Sequence, residues 1–191
     1  GRRFADALIE KQRQGVQVNL IYDSAGTLGT PAGFFQRLRD SGIRTLEFNP
    51  VNPATAKAGW DLNQRDHRKL LIIGGQTVFL GGINISSVYS GGSSRRQSKA
   101  GPDDELPWRD TDLQIDGPVV AEFQKLFLAT WQAQQGEPLA PRDFYPPLQP
   151  QGNEVVRAIG SSPDDAFSLI YVTMLSAINS AETEAWLTNA Y

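Results

Sequence analysis

Residues 66–84 read DHRKLLIIGGQTVFLGGIN and contain the pattern that decides the fold of this chain. Four large aliphatic residues follow a polar start, and a Gly-Gly pair separates them from a second short apolar run. Aliphatic runs bounded by glycine turns are typical of neighbouring β-strands, so we expect a hairpin that turns at residues 74–76. Because the run 70–73 lacks polar alternation, it predicts a strand that is covered on both faces.

This hairpin would bring reactive side chains together at one end. His67, the only histidine of the chain, lies two residues before Lys69, so both share one strand face while Arg68 points away. Glycines at 81–82 allow a close backbone approach, and Asn84 adds an amide. An imidazole, a cation and directed N–H donors suit a phosphate group. An isolated His-X-Lys is more often a solvated strand end, but the glycines and the asparagine favour the phosphate site.

The order of these residues resembles the signature of the phospholipase D superfamily, which is His-X-Lys, four residues, Asp, six residues, then Gly-Ser-X-Asn. His67, Lys69, Gly81 and Asn84 match it without a gap. The variant HRKLL with GGINIS is similar to the bacterial cardiolipin synthase branch. Further stretches similar to that branch are residues 22–26, 29–31, 34–35 and 48–50.

Two positions depart from the family signature. Gly82 stands where many members have serine, a difference that the cardiolipin synthase branch commonly tolerates. Gly74 stands where the family has its aspartate. Strand alternation places residue 74 on the face opposite His67, which predicts a structural role for the family's carboxylate. Drift, a weakened site and a deliberate substitution all remain open as explanations.

The resemblance also implies an acid that hydrogen-bonds the reactive histidine, and Asp110 is our candidate for it. A carboxylate there would fix the imidazole tautomer and stabilise its cation. A surface acid paired with Arg109 is an equally good interpretation of this residue. The resemblance thus assigns His67, Lys69, Asn84 and Asp110 to catalysis, and Gly81, Gly82, Lys69 and Asn84 to substrate binding.

Composition excludes several classes of function. The net charge of −3 does not indicate a broad nucleic-acid-binding surface, so we expect no nucleic acid partner. Without cysteine and with one histidine, the chain predicts no disulfide framework and no metal site. No apolar run is long enough to span a bilayer and no signal peptide opens the sequence. Any membrane association would come from surface contact or from residues outside this sequence.

Periodicity predicts α/β architecture, and the resemblance makes it a phospholipase D-type mixed sheet flanked by helices. The predicted elements are helices at 2–14, 32–40 and 118–135, strands at 16–22, 43–48 and 111–115, a strand continuing over 85–89, and a mobile loop at 90–107. The expected buried side chains are Phe4, Leu8 and Ile9, then Phe34, Phe35 and Leu38, then Val119 or Val120, Phe123, Phe127 and Trp131, with Trp60 as a packing residue.

The end of the chain repeats its start. Residues 136–152 contain five prolines and are predicted to be a linker. A strand at 155–159, a helix that opens at 162–165, and a strand at 186–191 would follow, and the helix would bury Phe167, Ile170, Tyr171, Met174 and Ile178. We therefore divide the chain into a first repeat over 1–135 that lacks its opening strand, the linker, and the truncated start of a second repeat over 153–191.

As the resemblance implies, we expect a phosphatidyltransferase of cardiolipin synthase type, acting on phospholipid phosphodiesters through a phosphohistidine and without metal or other cofactor. Its substrate would be an anionic phospholipid such as phosphatidylglycerol, met peripherally at a bacterial inner membrane. The missing second repeat or a second chain would complete the site, so this fragment alone is expected to be inactive. A phosphodiesterase or nuclease completed by dimerisation and a non-catalytic phosphate-binding domain remain alternatives.

Overall fold

Our computed structural model of this protein describes residues 1–52, 54, 64–85, 110–161 and 166–188. The chain divides into two compact units, Gly1–Gly152 and Asn153–Tyr191. The helices are α1 (Arg2–Arg13), α2 (Ala32–Asp40), α3 (Val120–Ala133) and α4 (Leu169–Asn179), with a 3-10 turn at Ala25–Thr27. The strands are β1 (Asn19–Asp23), β2 (Arg44–Phe48), β3 (Lys69–Ile73), β4 (Thr77–Gly81) and β5 (Asp112–Asp116). The predicted α/β class is confirmed.

The described strands form two small sheets. β1 and β2 are parallel, and their pairing runs from Asn19 opposite Arg44 to Asp23 opposite Phe48. β3, β4 and β5 form an antiparallel sheet with β4 in the centre. Parallel and antiparallel pairs are therefore both present, but in separate sheets.

The first core lies between α1, α2 and the two parallel strands. Its buried side chains are Ala5, Ile9, Phe35, Leu38 and Ile43. α2 has the bounds that its sequence predicts, and Gly15 and Gly42 follow the two helices with φ angles of +86° and +89°. Those left-handed conformations favour glycine at helix ends.

The expectation that Phe4 is buried is wrong, because 37% of the residue is exposed. The inward stripe of α1 runs through Ala5 and Ile9, and Leu8 packs at its margin. The stripe is thus one residue away from the predicted one, and the small side chain of Ala5 gave no apolar signal strong enough to show it.

The predicted hairpin turn is present. The Gln76 amide donates to the Ile73 carbonyl at 3.0 Å, and Gly74 and Gly75 have φ angles of +60° and +67°. Positive φ at both central residues is characteristic of a type I′ turn, whose twist matches that of paired strands.

The prediction that β3 is covered on both faces is wrong for the described structure. Leu71 is 39% exposed and Ile73 is 52% exposed. α3 packs on the opposite face of the sheet, where Val78 is fully buried. Because side chains alternate across a strand, one helix layer covers only every second residue of the run.

α3 buries most of the stripe that its periodicity predicts. Val120, Phe123 and Trp131 are buried, and the partly exposed Phe127 ring stacks on Trp131 with centroids 6.0 Å apart. The Trp131 indole N–H donates to the Glu137 carbonyl at 2.8 Å. This bond holds the residues that follow α3 against the C-terminal end of the helix.

Residues 136–152, which we call the proline-rich segment, contain no helix or strand and belong to the first unit. Their role as a linker between two repeats stays a prediction. Arg142 Nε donates to Gln17 Oε1 at 3.0 Å. A Cβ built on Gly75 would lie 2.8 Å from Pro146 and 2.9 Å from the Phe144 carbonyl. The segment is therefore packed against the first unit rather than extended as a free tether.

The second unit differs from its prediction. Residues 154–160 and 184–188 form no strand, and α4 begins after Ser168, whose hydroxyl accepts from the Tyr171 amide at 3.3 Å. The apolar side chains predicted to be buried, Phe167, Ile170, Tyr171, Met174 and Ile178, are all exposed. Strands need a hydrogen-bonded neighbour and an apolar helix needs a second layer, and the described part of this unit supplies neither. The assignment of 153–191 to a second repeat stays a prediction.

Several predictions lie outside the described residues. They concern Trp60, the strand continuation over 86–89, the loop at 90–107, the helix opening at 162–165 and the end of the chain at 189–191. No helix in the described ranges has both the length and the apolarity needed to cross a membrane.

Asn49 connects three parts of the first unit. The residue is 2% exposed, and its side-chain amide donates to the Gln64 carbonyl at 3.0 Å. Its Oδ1 accepts from Gln134 Nε2 at 3.2 Å, and its backbone carbonyl accepts from Arg65 Nη1 at 2.7 Å. The end of β2 is thus joined to the segment before β3 and to the end of α3.

We predict that Asn49→Gly lowers the free energy of unfolding by about 1–3 kcal/mol, because buried hydrogen bonds are lost. Asn49→Ala should cost about 1 kcal/mol more than Asn49→Gly, since φ at this position is +39° and a Cβ is strained there. Urea denaturation measures both values. At Gln132, an exposed position inside α3, the order should reverse, because alanine favours a helix over glycine. Equal effects of alanine and glycine at Asn49 would contradict the strain argument.

Candidate active site

All six predicted site residues belong to chain segments at one end of the antiparallel sheet. In the register of this sheet, Lys69 lies opposite Gly81, and Gly81 lies opposite Asp112. The start of β3, the end of β4 and the start of β5 are therefore neighbours. The site residues on these segments are His67, Lys69, Gly81, Gly82, Asn84 and Asp110.

Lys69 is the half-buried cation of this end. Its Nζ donates to the backbone carbonyl of His67 at 2.6 Å. Burial lowers the pKa of the Lys69 ammonium below its ordinary value, while the Asp66 and Asp110 carboxylates act in the opposite direction and raise it. The two carboxylates thus favour the charged form of Lys69.

Gly81 and Gly82 leave room for the residues just before and at the start of β5. A Cβ built on Gly81 would overlap the Asp112 side chain and the Thr111 carbonyl, and one built on Gly82 would overlap the Asp110 carboxylate. The Gly82 amide donates to the Thr111 carbonyl at 3.3 Å. Both glycines therefore allow the chain before β5 to lie directly against the end of β4.

Asp110 lies beside Gly82, and its Oδ1 accepts from the Thr111 amide at 2.8 Å. No hydrogen bond joins it to His67 within the described part of the chain. The pairing of Asp110 with His67 stays a prediction, and Arg109, its alternative partner, lies outside the described residues.

His67 and Asn84 are both exposed, the first just before β3 and the second just after β4. Among the described residues, neither side chain makes a hydrogen bond. Their proximity to each other therefore rests on the strand register and not on a contact. The imidazole and the amide reach solvent at the same end of the sheet, where a ligand has access to them.

Arg68 extends to the helix side of the sheet, as strand alternation predicts. Its Nε and Nη2 donate to the two Asp66 carboxylate oxygens at 2.8 Å each, and Nη2 also donates to Thr130 Oγ1 of α3 at 2.8 Å. A bidentate Arg–carboxylate pair is among the stronger charge-assisted contacts. It fixes the backbone on both sides of His67.

Asp23 connects the other sheet to the same segment. Its Oδ2 accepts from the Asp66 amide at 3.0 Å, and its Oδ1 accepts from the Gly26 amide at 2.9 Å. The sequence marked the polar end of β1 but not this link. Asp66 itself was missed, although its spacing of two from Arg68 was a signal for a pair on one strand face.

Chemically, this end of the sheet offers an exposed imidazole, an ammonium held beside two carboxylates, and glycines with little steric bulk. Such groups can bind a phosphoryl oxygen and offer a nitrogen nucleophile to its phosphorus.

Comparison with known proteins agrees with this chemistry. Residues 1–91 match the profile of a family described as cardiolipin synthase, PLD-like domain. This part of the chain belongs to the phospholipase D-like family. This phospholipase D-like chain is 34% identical over its whole length to cardiolipin synthase A of Pseudomonas fluorescens strain Pf-5, and it covers 37% of that relative.

Other relatives give the same result. Cardiolipin synthase A of Pseudomonas putida strain W619 is 32% identical, with 100% of this chain and 37% of the relative covered. Cardiolipin synthase of Alkalihalophilus pseudofirmus is 31% identical, with 100% and 36% covered. The phospholipase D-like chain thus spans little more than a third of these relatives. No solved structure matches it.

We predict that Gly82→Ala lowers the free energy of unfolding by less than about 1 kcal/mol, because the new methyl group meets only the carboxylate end of the exposed Asp110 side chain, which can rotate away. In an Asp110→Ala background the same substitution should cost clearly less. A double-mutant cycle in urea measures the coupling. Gly33→Ala is the matched control: a Cβ there meets no described atom within 4 Å, so alanine should stabilise α2. A cost of Gly82→Ala that is independent of Asp110 would contradict the packing.

We predict that Gly74→Asp changes stability by less than about 1 kcal/mol, since aspartate tolerates the left-handed region and a Cβ there meets no described atom within 4 Å. The turn lies about 15 Å along the strand from Lys69, so activity should also be unchanged. Gly75→Asp should instead destabilise the protein by more than about 2 kcal/mol, because Pro146 and the Phe144 carbonyl occupy that space. Urea denaturation measures the stability of both variants, and turnover is measured with the same substitutions in the full-length gene product. Increased turnover in Gly74→Asp would show that the family's aspartate acts in catalysis.

Proposed function

We propose that this chain carries one half of a phosphatidyltransferase site of cardiolipin synthase type. Relatives named cardiolipin synthase match it along its whole length at 31–34% identity. The observation that carries the proposal is the β3–β4 register, with Lys69 opposite Gly81, because it brings the His-X-Lys and Gly-Gly-X-Asn segments to one end of a sheet.

In the proposed reaction, we assign His67 the role of nucleophile in a pair of histidines, which the labelling experiment below tests. One of its imidazole nitrogens attacks the phosphorus of a phospholipid phosphodiester. A P–N bond forms, the P–O bond to the leaving alcohol breaks, and a second histidine gives the departing oxygen its proton. The acceptor hydroxyl then loses its proton to that second histidine and attacks the phosphorus. The P–N bond breaks, and His67 is regenerated.

Lys69, Asn84 and the backbone amides near Gly81 and Gly82 would stabilise the negative charge that develops on the phosphoryl oxygens. Removing one such preorganised donor typically costs about 2.7–4 kcal/mol of activation free energy. Asp66 and Asp110 favour the ammonium form of Lys69, which is the form that can neutralise this charge.

The second histidine has to come from elsewhere, because these 191 residues contain one histidine. Residues outside this sequence or a second copy of the chain would supply it, so we propose that 1–191 alone is inactive. The substrate would be an anionic phospholipid such as phosphatidylglycerol, met at the surface of a bacterial inner membrane. Exposure of His67 and Asn84 leaves this end of the sheet open to such a partner.

We predict that the full-length gene product forms a labelled phosphohistidine at His67 when it is quenched during turnover of vesicles containing phosphatidylglycerol labelled at phosphorus. His67→Gln should abolish the label, because the nucleophile is lost. Lys69→Gln should slow its formation by about 100- to 1,000-fold. Lys125→Gln is the matched control, since Lys125 is an exposed lysine on α3.

The outcomes separate the alternatives. Label on His67 from the lipid supports the transferase. Label from an oligonucleotide but not from the lipid would replace it with the phosphodiesterase or nuclease completed by dimerisation. Saturable phosphate binding that Lys69→Gln abolishes, without label from either substrate, would leave only the non-catalytic phosphate-binding domain.

A further inference from the structure

The placement of both reactive groups of the candidate site depends on the backbone of His67. The imidazole is exposed and has no hydrogen-bond partner among the described residues, so its direction follows from where the His67 backbone lies. Lys69 Nζ donates to the His67 carbonyl at 2.6 Å, so the ammonium is held by the same residue. A displacement of this one backbone therefore moves the proposed nucleophile and the proposed phosphate-binding cation together.

A carboxylate spans the histidine, in a set of contacts that we call the Asp66 bridge. Asp66 Oδ1 accepts from the backbone amide of Arg68 at 3.0 Å. Such a bond to the amide two residues later is an Asx-turn, and it restricts the backbone of the residue between. The Arg68 guanidinium also bonds both Asp66 oxygens at 2.8 Å, and the Asp66 side chain is only 11% exposed. The backbone of His67 is therefore held by a nearly buried ion pair.

Two residues that are distant in sequence hold the Asp66 bridge from opposite sides. Asp23 Oδ2, at the end of β1, accepts from the Asp66 amide at 3.0 Å across 43 residues of sequence. Thr130 Oγ1, on α3, accepts from Arg68 Nη2 at 2.8 Å across 62 residues. The bridge is thus fixed relative to the parallel strands and to the helix that covers the antiparallel sheet.

We propose that Thr130 and Asp23 are positioning residues for the candidate site. They act on His67 through the Asp66 bridge and not through a contact with substrate. The proposal rests on the proposed function, in which His67 is the nucleophile. Catalysis needs the reacting atoms in a near-attack geometry, and a misplacement of about 1 Å by a change away from the chemistry can cost about 100-fold in rate. Residues that only support the fold would change stability and leave the turnover of folded enzyme unchanged.

Thr130→Val tests the α3 side, because valine has the shape of threonine but lacks the hydroxyl that accepts from Arg68. In the full-length gene product, we expect kcat with vesicles of phosphatidylglycerol to fall about 10- to 100-fold. KM should change far less than kcat, since an interaction that matters only in the transition state lowers kcat without raising KM. Thr130→Ser keeps the hydroxyl and should restore kcat.

Thr45→Val is the matched control. Thr45 Oγ1 also accepts from an arginine, Arg39 Nη1, at 3.3 Å, but this pair joins α2 to β2 and is not hydrogen-bonded to the Asp66 bridge in the described part of the chain. The same chemical change at this position should leave kcat unchanged. Equal losses of kcat in Thr45→Val and Thr130→Val would overturn the proposal.

Hydrogen exchange gives a readout that does not depend on catalysis. It is measured by mass spectrometry of the full-length gene product, on the peptide that covers residues 64–70. The amides of Asp66 and Arg68 both donate to carboxylates, so they should be protected from exchange. In Thr130→Val this peptide should exchange faster, because one side of the Asp66 bridge is released, while the urea midpoint of global unfolding stays the same.

Asp23→Ala tests the β1 side. It removes the acceptor of the Asp66 amide, so it should also lower kcat and speed the exchange of the same peptide. Asp23 Oδ1 accepts from the Gly26 amide as well, so a change of kcat alone could arise from that turn. Lower kcat without faster exchange at residues 64–70 would overturn the role of Asp23.

The outcomes separate this proposal from the proposed function. If the parent turns over the lipid, an unchanged kcat or an unchanged exchange rate in Thr130→Val overturns the positioning role, while the proposed function stands. Absence of both turnover and label in the parent overturns the proposed function. The exchange of residues 64–70 then decides alone whether Thr130 holds the backbone of His67.

Discussion

The structure around the candidate site depends on how closely β5 can approach the end of β4. Gly81 and Gly82 have no side chains, and the space beside them is filled by the carboxylates of Asp112 and Asp110. The Asp110 carboxylate brings negative charge near Lys69, where it opposes the lowering of the ammonium pKa by burial. A pair of glycines thus sets the packing distance and, through it, the electrostatics of the site.

Local patterns predicted those parts of the fold that depend on local chemistry. The bounds of α2, the glycine that ends each of the first two helices and the turn of the hairpin all follow from residues close in sequence. Local patterns did not predict that Leu71 and Ile73 are exposed, because exposure depends on how many layers cover the sheet. The same limit applies to residues 153–188, whose apolar side chains predict a core that their described neighbours do not form.

For the candidate site, the sequence predicted which chain segments carry the site residues better than it predicted the contacts between their side chains. The motif spacing placed His67, Lys69 and Asn84 on the correct chain segments, since strand register follows from the hairpin turn. It did not show that Asp66 is held from two sides, by Arg68 and by the Asp23 carboxylate. The spacing of Asp66 and Arg68 was a local signal, but the contact with Asp23 joins distant parts of the chain and has none. Both contacts orient the residues on either side of the histidine.

The proline-rich segment has a consequence for how this chain tolerates changes in length. The residues of this segment that contact the rest of the first unit lie close together in sequence. We call these residues its anchors; they are Glu137, Arg142, Phe144 and Pro146. Inserting or deleting one residue between two anchors would move every later anchor past its partner, although no helix or strand would be broken. A stretch without regular structure therefore has a defined length, and insertions are better accommodated after Gly152, where the first unit ends.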